Sequence, residues 1–148
     1  MPDQDTLERA REDAAEGKSP STQAGEFVRE EIEHVREGKH GARSTKQAIA
    51  IGLSKARRAG AKLPPPGGSK MSEQTRRKAR QDSKAAAKPH KPSRKRSRAV
   101  TKALQREQRS SASPRSLSRQ AHKAAANRTR KDRSAGAKKA ARTRKRSR

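Results

Sequence analysis

The chain has 148 residues, with 41 Lys or Arg against 15 Asp or Glu, and its formal net charge is +26. Hydrophobic residues make up 26% of the sequence, the single aromatic residue is Phe27, and cysteine is absent. The composition excludes a disulfide scaffold and a Cys-ligated metal site, and no apolar run approaches the roughly 18 residues of a membrane span. Such a chain is expected to be soluble, mostly disordered and bound to a polyanion.

The charge is distributed unevenly along the chain. Residues 1–40 hold 6 basic and 11 acidic residues, residues 41–70 hold 7 basic and no acidic ones, and residues 71–148 hold 28 basic and 4 acidic ones. The net charges of these three parts are therefore −5, +7 and +24. We predict an acidic N-terminal segment (1–20), a helix–turn–helix hairpin module (21–62), a Pro/Gly linker (63–70) and a disordered basic tail (71–148).

The first predicted element is a weak helix from about Thr6 to Ala15. Its apolar side consists of Leu7, Ala10 and Ala14 alone. The residues before it, Met1–Asp5, are acidic and lack the apolar stretch of a secretory signal. We therefore expect a cytoplasmic protein without a membrane partner.

The hairpin contains two stretches with helical periodicity. In the first, Gln23–Glu37, Val28, Ile32 and Val35 recur at i, i+4 and i+7, and Gly38 is a stop signal. The second stretch is Thr45–Ala59, and Ser44 with Gln47 forms a capping box at its start. Gly60 is a stop signal at its end. Its apolar stripe, which Ile51 widens, consists of Ala48, Ile49, Leu53 and Ala56.

The core of this hairpin would be small. Its predicted members are Phe27, Val28, Ile32, Val35, Ile49, Leu53 and Leu63. Burial of seven such side chains is worth on the order of 10–20 kcal/mol, which the entropy of ordering about forty residues offsets. We therefore expect the hairpin to need support from a second copy, from nucleic acid, or from the first helix.

One spacing on the first hairpin helix raises the question of a metal. Glu31-x-x-His34 matches the ligand spacing of di-metal helix bundles, in which several helices supply inward-facing ligands. Further glutamates, Glu30, Glu33 and Glu37, surround most of the same helix, which is typical of a solvated acidic face. We therefore expect no metal and no cofactor. An enzyme is not expected either, because no pocket would assemble a catalytic set of side chains.

The turn and the second helix each allow two interpretations. Lys39-His40-Gly41 is either a plain interhelical turn, which we prefer, or a phosphate site built from backbone N–H groups. The second helix presents Lys46, Lys55, Arg57 and Arg58, as a DNA-recognition helix would. The small core instead favours a hairpin that mediates protein interaction or homo-oligomerisation.

The segment from about Glu26 to Pro66 resembles a family of small basic bacterial proteins of unknown function. The resemblance is carried by the Lys39-His40-Gly41 element, the run Lys46-Gln47-Ala48-Ile49-Ala50-Ile51-Gly52-Leu53-Ser54, and the trailing Arg57-Arg58-Ala59-Gly60. It implies a bacterial origin and a short helical module, without an activity. The tail resembles the basic termini of linker-histone-like proteins in composition only.

The basic tail contains two short stretches that could be helical, Ala99–Arg109 and Ser116–Arg130. Because it lacks aromatic residues for base stacking, we expect contacts to phosphates with little sequence preference. The sequence thus predicts a histone-like, nucleoid-associated protein that neutralises and condenses DNA. The alternatives are an RNA- or ribosome-associated protein, and a protein-interaction module anchored to nucleic acid. The predicted nucleic-acid-binding residues are Arg57, Arg58, Arg76, Arg77, Lys78, Arg94, Lys95, Arg96, Arg98, Arg128, Arg130, Lys131, Lys138, Lys139, Arg142, Arg144, Lys145, Arg146 and Arg148.

Overall fold

The computed structural model describes residues 2–65, 72–88 and 93–146. Residues up to Ser113 form one compact unit and those from Pro114 form a second. Among the residues described, no helix is both long and apolar enough to cross a membrane. The helices are α1 (Gln4–Ala15), α2 (Pro20–Glu37), α3 (Thr45–Arg58), α4 (Glu73–Ala87), α5 (Arg94–Gln105), α6 (Pro114–Ala126) and α7 (Arg130–Arg146), with a 3₁₀ turn at Ser110–Ala112.

The prediction that the chain is mostly disordered is wrong, because the segment after residue 71 contains four helices. Ser72 caps α4 by accepting the Thr75 N–H at 3.2 Å. Alanine, lysine and arginine, which dominate these helices, have high helix propensity. A prediction of disorder from composition counts large apolar side chains. It does not include helix propensity, helix caps or polar contacts between helices. Of the predicted linker, residues 66–70 lie outside the described part of the chain.

Local signals define the ends of α2 and α3. Ser19 accepts the Thr22 N–H at 3.3 Å, and Pro20 occupies the first turn, where its missing N–H costs nothing. Gly38 ends α2 with φ +80°, a left-handed conformation that glycine adopts without strain. Ser44 caps α3 as predicted, since its Oγ accepts the Gln47 N–H at 3.2 Å. Both helices thus begin on a serine cap.

Small residues form the contact between α2 and α3. Ala48, Gly52 and Ala56 of α3 are buried at intervals of four residues, so they lie on one face. A methyl group added to Gly52 would lie 2.7 Å from Val28 Cα and 2.9 Å from the Phe27 carbonyl oxygen. The two backbones therefore approach each other so closely that only glycine fits at position 52.

The core is arranged differently from the prediction. Phe27, Ile32 and Val35 are buried, whereas Val28, Ile49, Leu53 and Leu63 are half-buried. Of the stripe predicted for α3, Ala48 and Ala56 are buried, Leu53 is half-buried and packs against the core, and Ile49 is half-buried. Helix α1 supports this core, and Leu7 and Ala10 pack against a cluster of Ala24, Phe27 and Ala56.

Helix α4 is attached to α3 through Asp82. This side chain is 5% exposed, accepts a hydrogen bond from Ser54 Oγ at 2.7 Å, and lies 3.0 Å from the Arg58 guanidinium and 3.2 Å from Lys78 Nζ. Burial alone would raise the pKa of Asp82, but the bonds from Ser54 and Lys78 and the Arg58 charge outweigh it and hold the pKa below its usual value. A hydrogen-bonded carboxylate is thus buried on α4 together with one small apolar side chain, Ala79.

The chain after α5 returns to the α2–α3 turn. The backbone N–H groups of Gly41 and Ala42 donate to the carbonyl oxygens of Leu104 and Gln108, at 2.8 and 3.1 Å. Thr45 Oγ1 donates to the Ser111 carbonyl at 2.6 Å, and Arg36 Nε donates to that of Ala112 at 3.0 Å. Residues 104–112 are therefore tied to the hairpin by four hydrogen bonds that their backbone carbonyls accept.

We expect Gly52→Ala to destabilise the protein by about 1–3 kcal/mol, because the added methyl group overpacks the α2–α3 contact. Helix propensity alone would give the opposite sign, since alanine is favoured over glycine by about 1 kcal/mol. Gly25→Ala is the matched control: position 25 lies in α2 with open space around it, and there alanine should stabilise. Chemical denaturation of both variants measures the difference, and equal shifts in the two would contradict the close approach.

We expect Asp82→Asn to cost about 1–3 kcal/mol at neutral pH, because charge-assisted hydrogen bonds are lost. The pKa of Asp82 is lower in the folded state than in the unfolded chain. Its contribution to stability is therefore complete above the unfolded pKa and is lost as the pH falls through the folded one. Thermal unfolding should show the wild type and the variant converging in strong acid. Glu12→Gln, at an exposed site on α1, should change neither stability nor its pH dependence.

Candidate nucleic-acid interface and a buried carboxylate–histidine cluster

The predicted phosphate-binding residues of α5 are exposed. Arg94, Lys95, Arg96 and Arg98 all point to solvent from a helix that contains no acidic residue. Val100, which is 53% exposed, lies on the same helix. Helix α5 therefore offers a row of cations with no carboxylate of its own to neutralise them.

Helix α7 carries the densest positive charge, with nine Lys or Arg among 17 residues. Intervals of seven, four and three residues place Lys131, Lys138, Arg142 and Lys145 on one face, over roughly 21 Å of helix at 1.5 Å per residue. The predicted residues that the structure shows exposed here are Arg128, Arg130, Lys131, Lys138, Lys139, Arg142, Arg144 and Lys145. Arg146 is the last helical residue, and Arg148 lies outside the described residues.

The second unit uses its one acidic residue as a helix cap. Asp132 Oδ2 accepts the Thr129 hydroxyl at 2.7 Å and the Thr129 N–H at 3.3 Å, and Thr129 Oγ1 accepts the Asp132 N–H at 3.1 Å. These bonds from Thr129 lower the pKa of Asp132. Residues 114–148 contain 14 basic residues beside this single acid. The single carboxylate of this unit thus stabilises the first turn of α7 by its hydrogen bonds to Thr129.

The predicted cations of α3 and α4 lie in a different environment. Arg58 and Lys78 both contact Asp82, and Arg76 is 32% exposed with Glu73 at 3.8 Å. Arg57 is half-buried, whereas Arg58, Arg77 and Lys78 are exposed. Of this group, Arg58 forms an ion pair between α3 and α4, and the pairs of Arg76 with Glu73 and of Lys78 with Asp82 lie within α4.

A helical repeat of cations was missed when runs of adjacent Lys and Arg were selected from the sequence. Three helices carry the pattern Arg-x₃-Arg-x₃-Lys, which aligns three cations on one face at about 6 Å intervals. The repeats are Arg76, Arg80 and Lys84 on α4, Arg94, Arg98 and Lys102 on α5, and Arg115, Arg119 and Lys123 on α6. A search for the i, i+4, i+8 period would have found it, had these segments been taken as helices.

The structure bears on the two alternative interpretations of the hairpin. The Gly41 and Ala42 N–H groups, which a phosphate would need, are used by the Leu104 and Gln108 carbonyls. On α3, Lys55 is 20% exposed and lies between two carboxylates, and Arg58 is bonded to Asp82. The turn therefore lacks the free backbone N–H groups that a phosphate site requires, whereas on α3 Lys46 and Arg58 remain exposed.

The interpretation of α2 as bearing a solvated acidic face is wrong for two of its glutamates. Glu30 is 3% exposed and Glu31 is fully buried, and Lys55 Nζ lies 2.8 Å from a carboxylate oxygen of each. Burial would raise the pKa of Glu30, but Lys55 and the Asp3 N–H outweigh it and lower the pKa. Burial likewise opposes the rise in the pKa of Lys55 that the two glutamates cause.

Two histidines complete this cluster. His40 Nε2 lies 3.3 Å from Glu31 Oε1, and His34 Nε2 lies 3.1 Å from Asp3 Oδ2. The histidine side chains are 15% and 12% exposed, and their rings meet edge to face with centroids 6.1 Å apart. The cluster thus joins α2 to α3, to the turn and to the start of α1. The sequence carried a hint of it in the Glu31-x-x-His34 spacing.

These features define a helical protein with cationic C-terminal helices and a carboxylate–histidine cluster beneath its first three. Residues 15–66 match a family of unknown function, DUF6496. The match includes all of α2, the turn and α3. The segment from Glu26 to Pro66, which resembles an uncharacterised family in sequence, lies within it. No curated protein and no solved structure matches the chain.

Proposed function

We propose that the protein binds duplex DNA through its phosphate backbone, using the cationic faces of α5, α6 and α7, with little sequence preference. The observation that supports this most strongly is the composition of α7, which has nine Lys or Arg residues, eight of them shown to be exposed, and a single aspartate that bonds Thr129 at the helix start. Neutralising phosphates releases condensed counterions, which favours binding without any reading of bases. The proposed role is still that of a histone-like, nucleoid-associated protein, but the DNA-binding cations lie on helices and not on a disordered tail.

Helical cations suit duplex DNA for two physical reasons. An α-helix fits the major groove, and continuous basic helices can run along it while they contact phosphates on both sides. Like charges on one helix face repel each other by a few tenths of a kcal/mol per pair, and a phosphate chain relieves that repulsion. The helices should therefore become more stable on DNA than they are in the free protein.

Duplex RNA is the competing partner in the same electrostatic class. Its deep, narrow major groove does not admit an α-helix, and the chain has a single aromatic residue, the buried Phe27, so stacking on unpaired bases is not available. These arguments favour DNA. A side-by-side titration with RNA and DNA duplexes of equal length tests the preference, and tighter binding to RNA would contradict it.

We expect neutralisation of the α7 face (Lys131→Gln, Lys138→Gln, Arg142→Gln and Lys145→Gln together) to weaken binding to every duplex sequence alike. Each phosphate contact contributes about 0.9 to the slope of log K against log salt, so the slope should become shallower by about 3–4. Fluorescence anisotropy with two unrelated duplexes over a range of salt concentrations measures both quantities.

The matched control neutralises four exposed cations that lie beside carboxylates in the first unit: Arg9→Gln, Lys18→Gln, Arg29→Gln and Lys39→Gln. This variant has the same net charge as the α7 variant and should keep nearly the full slope. Equal losses in the two variants would show that net charge alone drives binding and would overturn the assignment to α7. A strong preference for one of the two duplexes would overturn the non-specific mode.

A further inference from the structure

The cluster beneath α1, α2 and α3 contains more carboxylates than nearby ammonium groups. Glu30, Glu31 and Asp3 face Lys55 and the two imidazoles, and both oxygens of Glu31 are buried without a hydrogen bond of acceptable geometry. Lys55 and His40 lie close to those oxygens but do not satisfy them fully. A buried carboxylate in this state is costly, so a further cation would stabilise the cluster.

The hydrogen bond of His40 determines which ring nitrogen is available. His40 Nδ1 lies 3.0 Å from the Gly41 carbonyl oxygen, which can only accept, so Nδ1 carries the proton and donates it. In the neutral ring Nε2 is then an acceptor, and it faces Glu31 Oε1 at 3.3 Å. Two acceptors at this distance repel each other unless a proton or a metal ion lies between them.

His34 is oriented in a comparable way. Its Nε2 lies 3.1 Å from Asp3 Oδ2, and this carboxylate oxygen can accept a hydrogen bond from the ring N–H. Its Nδ1 lies 3.9 Å from Glu30 Oε1. Metal-binding histidines commonly donate their second ring N–H to a carboxylate or a backbone carbonyl, which fixes the tautomer. Both histidines of this cluster have such a partner on one nitrogen and face the cluster with the other.

We propose that Glu31, His34 and His40 bind a divalent transition-metal ion, for which Zn²⁺ is the best fit. One ligand atom of each residue lies within 4.8 Å of the other two. Ligands on a tetrahedral zinc ion, at about 2.0–2.2 Å from the metal, are roughly 3.3 Å apart, which is the present distance between His40 Nε2 and Glu31 Oε1. Two imidazoles with one carboxylate are a ligand set that zinc accepts, whereas Ca²⁺ and Mg²⁺ prefer oxygen alone.

An acidic groove provides the route by which the ion enters. It lies between α1 and α2, and its lining includes five carboxylates (Asp3, Asp5, Glu30, Glu33 and Glu37), His34 and two cations, Arg9 and Lys39. Because the carboxylates outnumber the cations, the groove attracts a positive ion, and His34 lies both in the lining and in the ligand set. The ion would join α2 to the turn that carries His40. The next two residues of this turn, Gly41 and Ala42, donate hydrogen bonds to the Leu104 and Gln108 carbonyls.

Isothermal titration calorimetry of the full chain with Zn²⁺ alone tests the site. We expect one ion per chain, and His40→Ala should weaken its binding by about tenfold or more, since one ligand is lost. His122→Ala is the matched control, because His122 is exposed on α6, and it should leave the affinity unchanged. Equal affinity in the wild type and His40→Ala, or equal loss in both variants, would overturn the proposal.

A second pair of variants separates metal binding from a purely structural role of the cluster. Glu31→Gln keeps the shape of the side chain and should also weaken Zn²⁺ binding. Lys55→Met removes the ammonium that competes for Glu31, so it should tighten Zn²⁺ binding although it destabilises the metal-free fold. Zn²⁺ should raise the Tm of Lys55→Met and of the wild type, and should raise that of His40→Ala clearly less at the same zinc concentration. If Zn²⁺ raises the Tm of none of these proteins, the cluster is a protonated ion-pair network and the proposal is wrong.

Discussion

The close approach of α2 and α3 at Gly52 is the constraint on which the rest of the first unit depends. With no side chain between the helices, Lys55, one turn further along α3, reaches Glu30 and Glu31 on the opposite helix at 2.8 Å. The same contact fixes the separation of the two helix ends, and therefore the conformation of the turn between them. The turn then directs the N–H groups of Gly41 and Ala42 outward, where the chain after α5 supplies carbonyl acceptors.

The chain folds with little apolar material because polar groups make the contacts that large side chains usually make. Helix α4 is held by Asp82, residues 104–112 are held by backbone carbonyls, and the centre of the first unit is a charge cluster. Burying Asp82 and Glu30 is tolerable because each accepts hydrogen bonds, and this pairing makes the arrangement specific to one geometry, whereas Glu31 is the costly member of the cluster. In the second unit the acid-to-base ratio is lower still, and its cations remain on the surface where a polyanion can reach them.

Part of this structure could be predicted from the sequence. The serine caps, the glycine stops and the apolar periodicity of α2 are local signals, and Ser44 and Gly60 occupy the positions that those signals indicate. Burial of Glu30 and Glu31 could not be predicted, because it depends on Lys55 and His40, which are distant in sequence. Helix α4 and the docking of residues 104–112 depend on single polar partners such as Asp82 and Gly41, which have no periodic pattern. The sequence therefore predicts the charge of the basic half but not the extent of its helical structure.

Amide hydrogen exchange of the full chain, in the absence of nucleic acid and at moderate salt, tests the central claim that the basic half is helical and that residues 104–112 are docked on the hairpin. We predict protected amides in α4, and protection of the Gly41 and Ala42 amides by the carbonyls of Leu104 and Gln108. Helices α5 to α7, which have few buried contacts, should exchange faster than α4 but more slowly than an unfolded chain. Exchange at the unfolded rate throughout residues 72–146, with unprotected Gly41 and Ala42, would contradict the account.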